Sequence, residues 1–281
     1  MLRRFDLRAR KGLGQHFLID EEVLGHIVSA AQLTANDAVM EIGPGLGVLT
    51  RELAGRAGRV VAIELDTRLA AILGETLASF DNVTIVNEDV LKIAPAALLE
   101  GLKTGFPPLV DSTFSYKVVA NLPYYITSPV LRRFLEASVK PRIMVVMVQK
   151  EVAEEISARP GRLSLLGISV QLYGEPAIVE YVPARCFYPA PEVDSAILRV
   201  DVYPRPAVDI SDTESFFRLV RAGFSASRKQ LANSLAQGLG LPKAEALSLL
   251  EKAGIASQRR AETLTLEEWA CLLRVSAGVE K

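Results

Sequence analysis

Cysteine, histidine and long apolar runs are all scarce in this chain, and each scarcity excludes something. The 281 residues contain two cysteines, two histidines and one tryptophan. Cys186 and Cys271 lie far apart, outside any Cys-x-x-Cys pattern and without histidine neighbours, which argues against a disulfide framework or a metal site. No metal is expected, and reduced, packed cysteines fit a cytoplasmic protein. No apolar run approaches the ~20 residues that span a bilayer, so no membrane partner is expected. The basic stretch Met1 to Lys11 lacks an apolar core and does not read as a secretory signal. A net charge of −1 gives no compositional sign of nucleic-acid binding. What the chain has in quantity is hydrophobic residues, 49% of the total. That content supports a real core, and the length suggests about two domains.

The stretch most loaded with chemistry is Val118-Val119-Ala120-Asn121-Leu122-Pro123-Tyr124-Tyr125. β-favouring apolar residues run directly into a polar turn, as at the end of a buried strand. Pro123 fixes its own φ and holds Leu122 extended. The turn then presents the Asn121 amide, the Leu122 carbonyl and the Tyr124 ring from a stiff base. Two acceptors suit the two hydrogens of an exocyclic amine, and the ring suits the face of a planar base. Alone, Asn-x-Pro-Tyr reads equally as an ordinary turn with a core tyrosine.

The preceding chain favours the functional reading. Arg3, Arg4, Arg8, Arg10 and Lys11 form a basic arm, opposed only by Asp6, which is either a solvated tail or a phosphate contact. After Gly12 to Leu18, Asp20 is placed to cap a helix whose apolar positions are Val23, Leu24, Ile27, Val28 and Ala31. Ala38 to Ile42 reads as a buried strand, Gly43-Pro44-Gly45-Leu46-Gly47 as a turn and Val48 to Ala54 as a helix. Strand, glycine turn and helix form the phosphate or nucleoside loop of a doubly wound sheet. Arg59 to Ile63 is the next strand and ends at Glu64, placed to accept ribose hydroxyls. Val83 to Val86 follows and ends at Glu88-Asp89. Glu64, Asp89 and Asn121 therefore share the carboxyl edge of the sheet, where such sheets bind ligands.

Two ligands compete for that edge. A nicotinamide dinucleotide calls for Gly-x-Gly-x-x-Gly, whereas the third glycine here comes one residue early and Val48 occupies its place. S-adenosylmethionine fits better, because its nucleoside needs a ribose acceptor and an adenine partner but no pyrophosphate cradle.

Taken together, Arg10-Lys-Gly-Leu-Gly-Gln-His-Phe-Leu18, Glu41-Ile-Gly-Pro-Gly-Leu-Gly-Val-Leu-Thr50, Asn121-Leu-Pro-Tyr-Tyr-Ile-Thr-Ser-Pro129 and Cys186-Phe-Tyr-Pro-Ala-Pro-Glu-Val-Asp-Ser195 resemble the ribosomal RNA adenine dimethyltransferase family. The resemblance reaches the helices at Phe224 to Leu235 and is strongest to bacterial small-subunit enzymes that dimethylate two neighbouring adenosines near the 3′ end of the RNA. It implies a Rossmann-like class I S-adenosylmethionine-dependent methyltransferase domain, an α/β fold, joined to a small all-α domain. It implies S-adenosylmethionine as cofactor, with His16, Leu18, Gly43, Glu64, Asp89 and Asn121 at the cofactor. Glu64 would hold the ribose hydroxyls and Asp89 the adenine amine. Asn121, Leu122, Pro123 and Tyr124 would form the catalytic turn, and Phe187 would be a second jaw stacking on a flipped base. Small-subunit rRNA in an immature ribosomal small subunit is the implied partner, and the chain is expected to act as a monomer. Two residues depart from the family's pattern: His16 stands where bacterial members commonly have asparagine, and Ser227 precedes Arg228-Lys229 where arginine is frequent. The segment Gly101 to Tyr116 is also longer than usual and reads as a surface loop.

Other readings carry specific markers. Relatives that dimethylate large-subunit RNA and confer antibiotic resistance are usually shorter and strongly basic. A non-catalytic RNA-binding assembly factor would not need the intact Glu64, Asp89 and Asn121 set.

Further along, Ser128-Pro129 reads as a cap and first-turn proline opening a helix that carries Arg132 and Arg133. Ile143 to Val148, Glu175 to Val182 and Ser195 to Val202 read as strands, the last two as late and antiparallel. Pro204 to Asp209 reads as a linker, which places the methyltransferase domain at 1–203 and the helical domain at 204–281. Four helices are expected in the latter, with Trp269 in their core and basic character from Arg218, Arg221, Arg228, Lys229, Arg259 and Arg260.

Overall fold

The computed structural model describes residues 10, 12, 14–93, 115–210, 212–226 and 228–277. Most of the basic arm, the greater part of the 101–116 loop and Ser227 lie outside these residues. The chain divides into two compact units, one of residues 1–153 with 175–202, the other of 154–174 with 203–281. The boundary read from the linker at 204 therefore differs from the observed division, which gives residues 154–174 to the second unit. Their backbone explains why: Gly161 and Leu163 N–H groups donate to the Glu262 carbonyl, and Tyr203 N–H donates to Tyr173.

The first unit is a seven-stranded sheet. Helix α1 (Glu21–Ala31) precedes β2 (Ala38–Ile42), helix α2 (Val48–Ala54), β3 (Arg59–Ile63), helix α3 (Thr67–Thr76) and β4 (Val83–Val86). Then come β5 (Tyr116–Asn121), helix α4 (Thr127–Leu135), β6 (Ile143–Gln149), β7 (Gly174–Val182) and β9 (Ser195–Val202). Two short strands, β1 (Phe17–Leu18) and β8 (Phe187–Tyr188), pair antiparallel outside the main sheet. The main order is β4-β3-β2-β5-β6-β9-β7. The pairs β4–β3, β3–β2, β2–β5 and β5–β6 are parallel, and β6–β9 is antiparallel.

Burial explains the strand sequences. Central parallel strands are covered on both faces and so run apolar without alternation, and β2 and β6 are buried along nearly their whole length. The exception in β5 is Lys117, which is 2% exposed. Its ammonium donates to the Gln32 carbonyl at 2.7 Å and to Asp37 at 3.0 Å, tying the end of α1 to the approach to β2. Helix α1 starts where the sequence predicts, with the Asp20 carboxylate accepting from Glu22 and Val23 N–H. The start of α4 differs. A 3-10 turn over Tyr124–Ile126 runs straight into a helix beginning at Thr127, so Ser128 and Pro129 lie inside the first turn and Ser128 is not the cap.

The order of strands sets the position of the site. From β2 the chain winds outward through β3 and β4, then crosses back to place β5 on the other side of β2. Helices leaving β2 and β5 consequently diverge and open a crevice at the carboxyl ends of those strands.

The second unit is helical: α5 (Lys150–Ile156) leads into it, followed by α6 (Leu165–Gln171), α7 (Thr213–Phe224), α8 (Leu231–Leu239), α9 (Lys243–Lys252) and α10 (Leu266–Ala277). Trp269 is fully buried and stacks on Phe224. Gly223 is required beneath it, since a Cβ there would lie 2.4 Å from the indole. No helix among the described residues is long and apolar enough to cross a membrane.

Candidate active site

The crevice between β2 and β5 is lined by residues from the N-terminal segment, the glycine turn and the ends of β3, β4 and β5. Gly43, Gly45 and Gly47 all have positive φ, a conformation that costs any side chain at these positions. At Gly47 space is closed as well, because a Cβ would meet Leu73 at 2.8 Å.

The turn is pinned by Glu64. Gly45 N–H donates to its Oε2 at 3.1 Å, and Asp66 N–H donates to its Oε1 at 2.8 Å. Burial pushes the Glu64 carboxyl upward from its ordinary pKa, against those two backbone hydrogen bonds. Asp66 in turn caps α3 and pairs with Arg10 at 3.3 Å, so the root of the basic arm is anchored beside this carboxylate. Asp89, at the end of β4, accepts from Leu91 N–H at 2.9 Å and leaves its second oxygen 3.7 Å from Lys92.

Asn121 closes β5, and its amide is oriented by a contact 105 residues away in sequence. Nδ2 donates to the His16 carbonyl at 3.0 Å. A carbonyl can only accept, so this bond fixes which end of the amide is nitrogen. The amide oxygen receives no hydrogen bond from the described residues. His16 is itself held, its Nδ1 donating to the Pro189 carbonyl at 2.7 Å. That places the ring proton on Nδ1. The ring lies nearly parallel to Tyr124, with centroids 5.9 Å apart. The Tyr124 hydroxyl shares a hydrogen bond of 2.8 Å with Ser195, and burial raises its pKa. His16 thus departs from asparagine in chemistry while orienting both Asn121 and Tyr124.

Among the expected residues, His16, Leu18, Gly43, Glu64, Asp89, Asn121, Leu122, Pro123 and Tyr124 all line this one crevice. Phe187, expected as a second stacking jaw, does not line it. It is 3% exposed and belongs to the core cluster that includes Val23, Ile27 and Val182. Successive residues of a strand face opposite sides, and the side left in solvent belongs to Tyr188, 57% exposed.

Glu41 was missed as a site residue. It sits inside β2, is 1% exposed, lines the crevice and has Oε2 without a hydrogen-bond partner. Its pKa is pushed up to about 8, chiefly by burial, with the Glu64 charge adding to the rise and the Thr50 hydroxyl opposing it. The available signal was a single acid inside an otherwise apolar strand, Ala-Val-Met-Glu-Ile. Among the described lining residues four carry carboxyls (Glu41, Glu64, Glu88 and Asp89), and none is lysine or arginine. Such a cavity disfavours a pyrophosphate and favours a ligand bearing positive charge.

Several basic residues are already engaged. Arg259 is bound to Glu268 and to Thr263, Arg132 to Glu136, and Arg133 to the Ile93 carbonyl.

The comparisons with known proteins agree with one another. The family described as ribosomal RNA adenine dimethylase matches residues 6–274. A protein named Ribosomal RNA small subunit methyltransferase A from Dehalococcoides mccartyi is 52% identical over 276 residues, covering 98% of this chain and 91% of that relative. The protein of the same name from Moorella thermoacetica is 47% identical over 277 residues, covering 98% and 94%. Among solved structures, a dimethyladenosine transferase from Plasmodium falciparum superposes with a TM-score of 0.77 at 25% identity, covering 94% of this chain and 98% of that one. The 23S rRNA methyltransferase ErmE superposes at 0.70 with 31% identity, covering 92% and 98%.

Proposed function

The chain belongs to the ribosomal RNA adenine dimethylase family, and from that membership we propose that it uses S-adenosylmethionine to dimethylate the N6 amines of two adjacent adenosines near the 3′ end of small-subunit rRNA. The carrying observation is the orientation of Asn121: its nitrogen is committed to the His16 carbonyl, which reserves its oxygen for an amine. Small-subunit specificity is supported by relatives of that name at 52% and 47% identity, against 31% for the large-subunit enzyme.

The residues present fit S-adenosylmethionine. Three carboxylates stand at strand ends beside a glycine turn, Glu41 with its unpartnered oxygen is in the wall of the same cavity, and no basic side chain among the described lining residues awaits a phosphate. Glu64 would hold the ribose hydroxyls and Asp89 the adenine amine, and His16, Leu18 and Gly43 would frame the nucleoside. When bound, the cofactor supplies a methyl group on a positively charged sulfur.

The chain's part in the transfer is to present the nucleophile. The lone pair of an adenine amine is delocalised into the ring and attacks poorly. Asn121 Oδ1 and the Leu122 carbonyl accept its two hydrogens and favour a pyramidal nitrogen. Pro123, at φ −56° and ψ 129°, keeps both acceptors in place. Positive charge builds on the amine during transfer, and fixed carbonyl dipoles stabilise it without reorganising. Holding two reactants in line is worth about 7–11 kcal/mol of barrier. Tyr124, fixed by Ser195 and His16, sets the plane against which the base lies. The proton leaves to solvent after transfer, so no general base is required.

The substrate we propose is an assembled, immature small subunit, on which the chain acts as a monomer. Net charge −1 leaves little counterion release for arbitrary RNA, while grouped basic residues suit phosphates already fixed in space. The test is incubation with labelled S-adenosylmethionine and either immature subunits or a naked hairpin of the target sequence, followed by nucleoside analysis. Dimethyladenosine formed preferentially in the subunit is expected. Equal rates on the hairpin would remove the shaped-surface reading, and label in large-subunit RNA alone would remove the small-subunit reading.

A further inference from the structure

A buried acid with an unpartnered oxygen, in the wall of a cavity rich in carboxyls, has two stable conditions. It is neutral when nothing positive lies near, and it ionises when a positive charge arrives. We propose that Glu41 is an ionisable counter-ion of the cofactor: a neutral acid in the free protein, it releases its proton when the positively charged cofactor binds, and so couples cofactor affinity to pH. The inference rests on the reading of S-adenosylmethionine as the ligand.

The geometry isolates Glu41 well enough for the coupling to be its own. Its register neighbours across the sheet are Ala62 of β3 and Val119 of β5. Helix α1 contributes Leu24 to the cavity, and α2 contributes Leu49. The polar groups acting on Glu41 are the Thr50 hydroxyl of α2 and the Glu64 carboxyl after β3. His16, Glu88, Asp89 and Tyr124 are further titratable groups around the same cavity. With Glu41 at 1% exposure, water cannot stabilise its charge, and the Glu64 carboxyl opposes its ionisation. The pKa near 8 agrees with this arrangement. A cation entering the cavity reverses the balance, and Oε2 has no hydrogen-bond partner to give up.

The consequence is directional. Between the pKa of the bound protein and about 8, affinity for the charged ligand should rise towards tenfold per pH unit and then level off. A ligand with the same nucleoside and no positive centre should show no such rise.

The experiment is calorimetric titration of the intact wild-type chain and of Glu41→Gln with S-adenosylmethionine from pH 6 to 7.5, in buffers of differing ionisation enthalpy. Binding of adenosine is measured alongside by equilibrium dialysis. Wild type should release close to one proton per ligand at pH 7, with affinity rising several-fold from pH 6 to 7. Glu41→Gln should lose that release and that slope. Both chains see the same titration of the ligand's own amino group, whose ordinary pKa is about 7.7–8.0, so the difference between them belongs to Glu41. Adenosine affinity should be flat with pH in both. Release with S-adenosylhomocysteine, which keeps the ammonium and lacks the sulfonium, would assign the partner as the ammonium. Its absence would assign the sulfonium. Wild-type binding without proton release overturns the proposal whether or not the variant folds, as does undiminished release in a folded Glu41→Gln. A folded wild type that binds no S-adenosylmethionine at any pH would instead overturn the cofactor reading.

Discussion

Replacing Glu41 by glutamine should stabilise the free protein, by an amount that grows with pH. Burial lifts the Glu41 pKa from an ordinary 4.5 to about 8 in the folded chain. Between those values the folded state holds a proton that the unfolded state has lost. A group with a raised folded pKa therefore contributes stability at low pH and withdraws it as pH rises towards 8. At pH 5 the two states are nearly matched. By pH 8 the difference amounts to about 4 kcal/mol, reckoned at 1.36 kcal/mol per pKa unit. Glutamine is neutral throughout and nearly the same shape, so Glu41→Gln should match wild type within about 1 kcal/mol at pH 5 and exceed it by about 4 kcal/mol at pH 8. The assay is urea unfolding followed by far-ultraviolet circular dichroism, for both chains, at intervals from pH 5 to 8. Titrating groups that do not interact with Glu41 cancel in the difference. A constant difference across that range would refute the reasoning, because Glu41 would then carry the same charge in both states. A variant less stable at every pH would mean that the carboxylate is ionised and well bonded in the free protein.

Three further outcomes follow from the site. Asn121→Ala should slow single-turnover methylation about a hundredfold or more, on the scale of losing a fixed transition-state dipole, with a smaller change in cofactor affinity; a rate preserved within a few-fold would mean Asn121 does not orient the amine. Glu64→Ala should weaken S-adenosylmethionine about ten- to a hundredfold and loosen the Gly45 turn it pins; unchanged affinity by calorimetry in a folded chain would remove it from the ribose. Phe187→Ala should cost about 3–5 kcal/mol of stability as a core truncation, whereas Tyr188→Ala should leave unfolding within about 0.5 kcal/mol of wild type. If Phe187→Ala unfolds like wild type yet loses RNA affinity, the aromatic leaves the core to stack.

Much of this protein is legible in its residues because local chemistry decides locally. Ala38–Ile42, Arg59–Ile63 and Val83–Val86 are strands with the predicted ends. Apolar runs bounded by glycine or acid leave the backbone little choice, and the Asp20 cap works through residues two and three positions on. The order strand, glycine turn, helix, strand, acid also implies a shared sheet edge, since parallel connections return each strand in the same direction. Glu64, Asp89 and Asn121 could be grouped without coordinates for that reason.

What only the tertiary structure decided depends on contacts distant in sequence. Alternation cannot be read from a two-residue strand, so the pairing of Leu18 with Phe187, not propensity, determined that Phe187 faces the core and Tyr188 faces solvent. The cap expected at Ser128 gave way because the 3-10 turn after Pro123 already supplied helical backbone up to Thr127. Residues 154–174 joined the helical unit through bonds to Glu262 and Tyr203, nearly a hundred residues and about thirty residues on respectively, which no linker composition announces. The Asn121 amide took its orientation from His16, and Glu41 became a buried acid only once α1 and α2 covered its strand. A sequence specifies which groups exist and which local backbone they prefer; desolvation and the direction of a hydrogen bond depend on what is folded against them.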